Sequence, residues 1–282
     1  MPLTASLAQV WYYTNMFLGL VLATLNFGPA EIHGWLATEV ESAHVSIGRI
    51  KNEYPVFNID TGLRIDGNSM GYIDLALWTE CDLCNHNRRT HRWAFHEIDP
   101  KVGYGYRFGL VDGFVFDTSI AAQWNLMSGY YGPAKRSYDE WQIREALETP
   151  WFVVYYSMRN FYSPVVKASY RFGLSKSIPL FGGLSFVPNV FCEGGSSRWN
   201  TQRFRQHDDW TVGRTINSLL AQMFLDYKVA DDLSLYGGVT GYFVVDPDIR
   251  DELRNGTGYA NRTEFAIVTL GARFVFLEFT HF

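Results

Sequence analysis

No stretch of the 282-residue chain is long and apolar enough to cross a bilayer as a helix. The one long apolar run, 16–25, is about ten residues, roughly half of what a spanning helix needs. Cysteine is scarce, with three in all, which excludes a disulfide-dense scaffold. Charge is scarce too: only 19% of residues are charged, and no basic block interrupts a net charge of −5. Nucleic acid, which needs a concentrated basic footprint, is therefore not an expected partner. No Pro/Ser-rich linker or shift of composition divides the chain after residue 30, so it reads as one domain. What is abundant is rings, at 17% of residues, within a hydrophobic share of 47%, yet mean hydropathy stays slightly polar at −0.10. Apolar and polar residues must therefore be interleaved.

The interleaving has period two, the pattern of strands with two chemically different faces. Over 114–127, Phe116, Thr118, Ile120, Ala122, Trp124 and Leu126 share one face, and Asp117, Ser119, Gln123 and Asn125 share the other. The same division recurs over 162–174 and 217–229. Further strands are predicted over 35–46, 55–66, 70–81, 93–108, 140–147, 150–159, 184–193, 233–245 and 263–276. At about ten residues or more, they are longer than soluble-sheet strands and match a tilted bilayer crossing. Connections at 66–70, 109–113, 148–150 and 230–232 are tight, whereas those at 82–92, 128–139, 194–215 and 246–262 are long. Outer-membrane barrels sort short turns and long loops in this way, with the long loops outside.

The fold expected is all-β: a transmembrane antiparallel β-barrel of about twelve strands, running as an up-and-down meander. A soluble β-sandwich or lipocalin-like barrel is the alternative. Against it stand ring clusters such as Tyr104, Tyr106 and Phe108 near strand ends, as in an interfacial girdle. The last strand alternates Leu270, Ala272, Phe274 and Phe276, and the chain ends on Phe282, although Glu278 and Thr280 interrupt the pattern. This partly matches the terminal signature read by the barrel-assembly machinery. Residues 1–30 read as a signal peptide, with Gly28-Pro29-Ala30 as a small-residue cleavage site. A retained N-terminal helix is the alternative, because no Lys or Arg occurs before Arg49. Residues 31–282 then form the barrel. Its expected setting is the bacterial outer membrane, among bilayer lipid, lipopolysaccharide, the assembly machinery and small solutes.

The segment Ser42-Ala43-His44-Val45-Ser46-Ile47-Gly48-Arg49, followed by Pro55-Val56-Phe57-Asn58-Ile59-Asp60, carries a resemblance. It resembles the opening of an uncharacterised bacterial family of secreted, barrel-like proteins with an S-A-Y-V-x-R-G-type first strand. Glu97-Ile98-Asp99 and Leu233-Ser234-Leu235-Tyr236-Gly237-Gly238 follow the same rhythm, so the similarity loosely covers 35–276. The family's Tyr and Arg-Gly stand here as His44 and Gly48-Arg49. The resemblance implies a barrel fold and an envelope address, and no established activity.

If the polar faces line a lumen, the first five strands bring Glu39, Glu41, Asp60, Asp66, Asp74, Glu80, Glu97, Asp99 and Asp117 against Arg64, Lys101 and Arg107. The next three bring Arg144, Arg159, Lys167 and Arg171. The expected pore lining is Glu39, Glu41, Asp60, Asp74, Glu97, Asp99 and Asp117 on an acidic arc, with those four bases on the other. Opposed charged walls fit a passive channel for small polar or charged solutes, with cations modestly favoured because the acidic wall is larger. The alternative is a plugged barrel whose acids and bases pair across the interior. Twelve strands lie between a filled eight-stranded barrel and an open sixteen-stranded one.

No cofactor is expected. Cys81, Cys84, His86 and His91 have metal-like spacing, but one loop makes a poor tetrahedral cage, and in an oxidising envelope a Cys81–Cys84 disulfide is the expectation. Cys192 falls on the lipid face as an apolar filler. His44 and Ser46, two apart on a strand, share a face and are the candidate catalytic pair of a lipid-modifying enzyme. Outer-membrane phospholipases carry an H-x-S-N-G motif facing lipid, and Ile47 stands here where the Asn belongs. A surface-loop binding barrel without a conducting pore is the remaining alternative.

Overall fold

A strand that crosses hydrocarbon has no water for its backbone, so its N–H and C=O groups must pair on both sides. Only a closed ring of strands provides this. The computed structural model describes residues 31–46, 49–67, 70–84, 95–111, 113–127, 138–161, 167–256 and 261–280, and it forms such a ring. The expected leader lies outside the described residues.

In chain order the elements are β1 (Glu31–Glu41), β2 (His44–Ser46), β3 (Arg49–Asn52), β4 (Val56–Asp66), β5 (Tyr72–Asp82), β6 (Phe95–Val111) and β7 (Phe114–Met127). Then come β8 (Tyr138–Glu148), β9 (Val153–Phe161), β10 (Lys167–Ser175), β11 (Ile178–Pro179), β12 (Leu184–Gly195) and α1 (Ser197–Phe204). The chain closes with β13 (Thr215–Lys228), β14 (Leu233–Val244), α2 (Pro247–Asn255) and β15 (Glu264–Thr280). Twelve long strands each pair antiparallel with their neighbours. β10 pairs with β12 and β1 with β15, so the sheet closes. β2 and β3 form a separate hairpin, and β11 is a two-residue addition to β12.

The period-two pattern becomes inside and outside. On β7 Ile120 is 53% exposed, and on β13 Met223 is 58% exposed, while Leu225 and Tyr227 continue that outer row. On β6 the outer row is Tyr104, Tyr106 and Phe108. So large an apolar belt would be an aggregation liability in water and is what hydrocarbon requires. Connections at one end are tight, as at Gly113, whose φ of 78° closes the β6–β7 turn. The other end carries the β2–β3 hairpin and both helices, and in this architecture it is the extracellular end.

The first strand differs from expectation. It ends at Glu41 rather than 46, and His44 belongs to the inward-turned hairpin. Ser42 caps the ladder by exchanging bonds with the Val268 backbone, its N–H donating to the Val268 carbonyl at 2.9 Å. Beyond it Ala43 and Val45 pack on Leu220, Tyr242 and Ile267 inside the barrel, which takes those apolar inner side chains out of the water of the lumen. The loops 194–215 and 246–262 also carry more order than expected. Ser196 caps α1 and Asp246 caps α2, with Pro247 in its first turn.

Candidate functional site

The interior of the ring is divided by chemistry. The inner rows of β12–β15 supply Phe191, Leu220, Tyr242, Phe265 and Ile267, and the β2–β3 hairpin lies on them. Tyr242 and Phe265 stack with centroids 5.0 Å apart. The hairpin thus fills the apolar side of the lumen. The charged inner rows of β4–β10 are left around a cavity of about 520 Å³.

Polar ties hold the hairpin against the opposite wall. His44 Nδ1 lies 2.8 Å from Glu80 Oε2, with the ring against Trp78, and Lys51 Nζ lies 3.9 Å from Glu97 Oε2. Arg49 donates to the carbonyl oxygen of Arg203 in α1. His44 therefore faces the lumen, not lipid, because the chain has left the barrel wall before reaching it. The side chain of Ser46 lies outside the described residues.

Of the expected lining, Asp60, Glu97, Asp99, Arg144, Arg159, Lys167 and Arg171 meet in the cavity. Glu39 and Glu41 sit beside it, both accepting from the Asn58 amide, and Tyr236 donates to Glu39 at 3.1 Å. Asp74 and Asp117 are drawn into a separate cluster nearer the short-turn end. Arg64 grips Asp74 with two bonds of 2.7 and 2.8 Å and stacks on Tyr72, whose hydroxyl donates to Asp117 at 2.6 Å. Tyr72 reaches past β6 only because Gly105 leaves room, since a Cβ there would overlap the ring. Expected walls are thus partly tied up in local pairs.

The cavity's charge balance reverses the expectation from the strands. Among the described residues it is lined by Lys51, Lys101, Arg144, Arg159, Lys167, Arg171 and Arg203, seven cations, against Asp60, Glu97, Asp99, Glu140 and Glu193, five carboxylates. Three carboxylates are engaged: Glu97 with Lys51, Glu140 with Arg159 at 3.7 Å, and Glu193 with Arg171. Glu193 also accepts from Ser218 at 3.1 Å. Lys101 and Arg144 stand in no ion pair among the described residues, and Arg144 donates only to the Gln142 amide oxygen, at 3.2 Å. Lys51 and Arg203 could not have been assigned to the lumen from period two, because they arrive from the hairpin and a helix. Glu193 could have been, since it alternates with Cys192 on the lipid face; its pairing in register with Arg171 is seen only in the structure.

Above the cavity, α1 and α2 dock through Phe204, Val212, Val244, Ile249 and Leu253. Trp199, Gln202 and Arg203 of α1 form part of the cavity's lining. Glu252 clamps the cap by accepting from the His207 N–H at 2.8 Å and meeting His207 Nδ1 at 3.0 Å. Hydrogen bonding to Glu252 raises the pKa of His207. Burial works against the charged form of Glu252, but the His207 and Gln206 bonds outweigh it and hold its pKa down. The Glu252 contribution is present above its ordinary value of 4.5 and fades as pH falls through the depressed one. The His207 contribution is complete below 6.5 and fades as pH rises through the raised one. Hydrogen exchange of 197–214 should therefore be slowest between those two values and quicken on either side; exchange indifferent to pH, after correction for intrinsic rate, would contradict the clamp.

The cysteines correct another expectation: Cys81, Cys84 and Cys192 are all free. β5 continues through Asp82, so Cys81 is held in the extended ladder opposite Phe57 and Phe95 instead of turning toward Cys84. His86 and His91 lie outside the described residues, and no group of metal-ligating side chains forms among the described ones.

No protein-family model matches the chain, and no curated protein matches it either. Among solved structures it is similar to an outer-membrane channel from Pseudomonas putida F1, at 9% identity, with a TM-score of 0.50, over 90% of this chain and 97% of that one. It is also similar to outer membrane phospholipase A from Escherichia coli, at 12% identity, with a TM-score of 0.44, over 86% of this chain and 92% of that one. At such identities the first likeness speaks for fold alone. With the closed ring of twelve strands and the exposed apolar belt on the page, the chain is a bacterial outer-membrane β-barrel, embedded in lipid and enclosing a charged cavity.

Proposed function

We propose that the barrel is a passive channel for small polar or charged solutes, which pass along the charged side of the lumen beside the inward hairpin. The observation that carries this reading is the cavity of about 520 Å³ lined by twelve charged side chains, with Lys101 and Arg144 unmatched by carboxylates among the described residues. A barrel filled only for stability would pair such charges, because an uncompensated charge in a protein interior is costly without water or a ligand. The hairpin acts as the constriction and α1 as the outer rim. A lipid-hydrolase reading gains nothing from His44, which is turned inward onto Glu80. Lipopolysaccharide on the outer leaflet, insertion by the barrel-assembly machinery and cleavage of residues 1–30 complete the proposal.

Swelling of proteoliposomes in isosmotic solutions of small solutes tests it. Wild-type vesicles are expected to swell faster than empty ones. Replacing 43–52 by a short Gly-Ser linker should speed swelling by about threefold, since the hairpin occupies much of the interior that twelve strands enclose. Wild-type vesicles that swell no faster than empty ones overturn the channel reading.

A further inference from the structure

We propose that the cavity is a binding site for a small zwitterion, an amino acid whose carboxylate meets Lys101 and Arg144 and whose ammonium meets Asp99. The inference rests on the reading of the lumen as a solute path. Asp99 is nine-tenths buried, at 6% exposed. Its Oδ2 accepts from the Gln123 amide at 2.8 Å, whereas its Oδ1 is enclosed and has no partner among the described residues. Lys101 stands two residues along the same inner row of β6, about 7 Å away by strand rise. Both line the cavity, and no ion pair joins them among the described residues. Arg144 presents its guanidinium from β8, directly across from Ser157, which in turn faces Arg171 across the next pair of strands. Asp99, Lys101 and Arg144 therefore border one cavity with no direct ion pair to one another or to any other described residue.

Each simple ligand satisfies only part of this arrangement. A metal or organic cation would answer Asp99 and be repelled by the seven lining cations. A plain anion would answer Lys101 and Arg144 and leave the Asp99 oxygen enclosed and unpaired, which costs about as much as a hydrogen bond gains. A zwitterion answers both, and charge-assisted bonds at each end are the stronger kind. The volume lies within the range of small-molecule sites. The surplus of cations over carboxylates further favours an amino acid with a second carboxylate, so L-glutamate is the probe.

Calorimetric titration of the full chain in detergent micelles separates the possibilities by comparing L-glutamate with glutarate, the same diacid without the ammonium. Glutamate is expected to bind about tenfold more tightly or better. Asp99→Asn should abolish that advantage while leaving glutarate binding in place, and Lys101→Gln with Arg144→Gln should weaken both ligands. Equal affinities in the wild type, requiring no variant, would mean a simple anion site and overturn the proposal. So would a glutamate advantage that survives Asp99→Asn, or no binding of either ligand. Retention of the compact band in unheated detergent gels shows that each variant is still a barrel. Binding without vesicle swelling would defeat the channel and keep the site; swelling without binding would do the reverse.

Discussion

Arginine at Ile120 or Ala221 is expected to destabilise the barrel by about 2–4 kcal/mol, because both lie near the middle of lipid-facing rows where a guanidinium has neither water nor partner. Ile120 is the seventh of fourteen residues in β7, and Ala221 holds the same place in β13. Gln222→Arg provides the contrast. It is adjacent in sequence but turned inward, where its amide donates to Thr240 at 3.1 Å and accepts from Asn189. An arginine there meets polar neighbours, and Asp226 follows four residues on along the same row, so the penalty should be well below that at Ala221. Urea unfolding in lipid vesicles reads both. Equal penalties at Ala221 and Gln222 would mean that the two faces of β13 are not lipid and lumen.

The second large effect concerns which ions pass. The seven lining cations exceed the five carboxylates by two, so the open lumen should favour anions. One unbalanced charge about 7 Å from an ion in water is worth about 0.6 kcal/mol, or about threefold in local concentration. Two such charges set an upper range of about tenfold, which falls as salt screens them. Replacing Lys101 and Arg144 by Gln levels the count and should bring the reversal potential in a salt gradient close to zero. Asp60→Asn should push it further toward anions. A cation-selective wild type would mean that ions follow the Glu39, Asp74 and Asp117 side of the interior instead.

Most of the ring was legible in the sequence because hydrocarbon outside and polar groups inside impose the same two-residue alternation on every wall strand. All twelve strands were therefore anticipated, several to within two residues at each end; β7 matches over its full length. The inner rows carrying Asp60, Asp99, Arg144 and Arg171 followed directly from that alternation. What alternation cannot report is a segment that leaves the wall. His44 and Lys51 continue a strand-like pattern, yet the hairpin turns inward because the apolar inner positions Leu220, Tyr242 and Ile267 lie on distant strands. Those three were themselves a readable warning, being large apolar residues on a nominally polar row. Pairing was equally hidden, since Arg64–Asp74 and Arg171–Glu193 depend on register between strands. Counting formal charges along strands therefore made the acidic wall larger than the one that faces the cavity.

The account stands most directly on single-channel recording of the wild-type protein in planar bilayers. Stable conductance steps are predicted, with larger steps once residues 43–52 are replaced by a short linker, because the hairpin and the charged wall share one lumen. Protein that inserts as a folded barrel and gives no steps, with or without the hairpin, would contradict it.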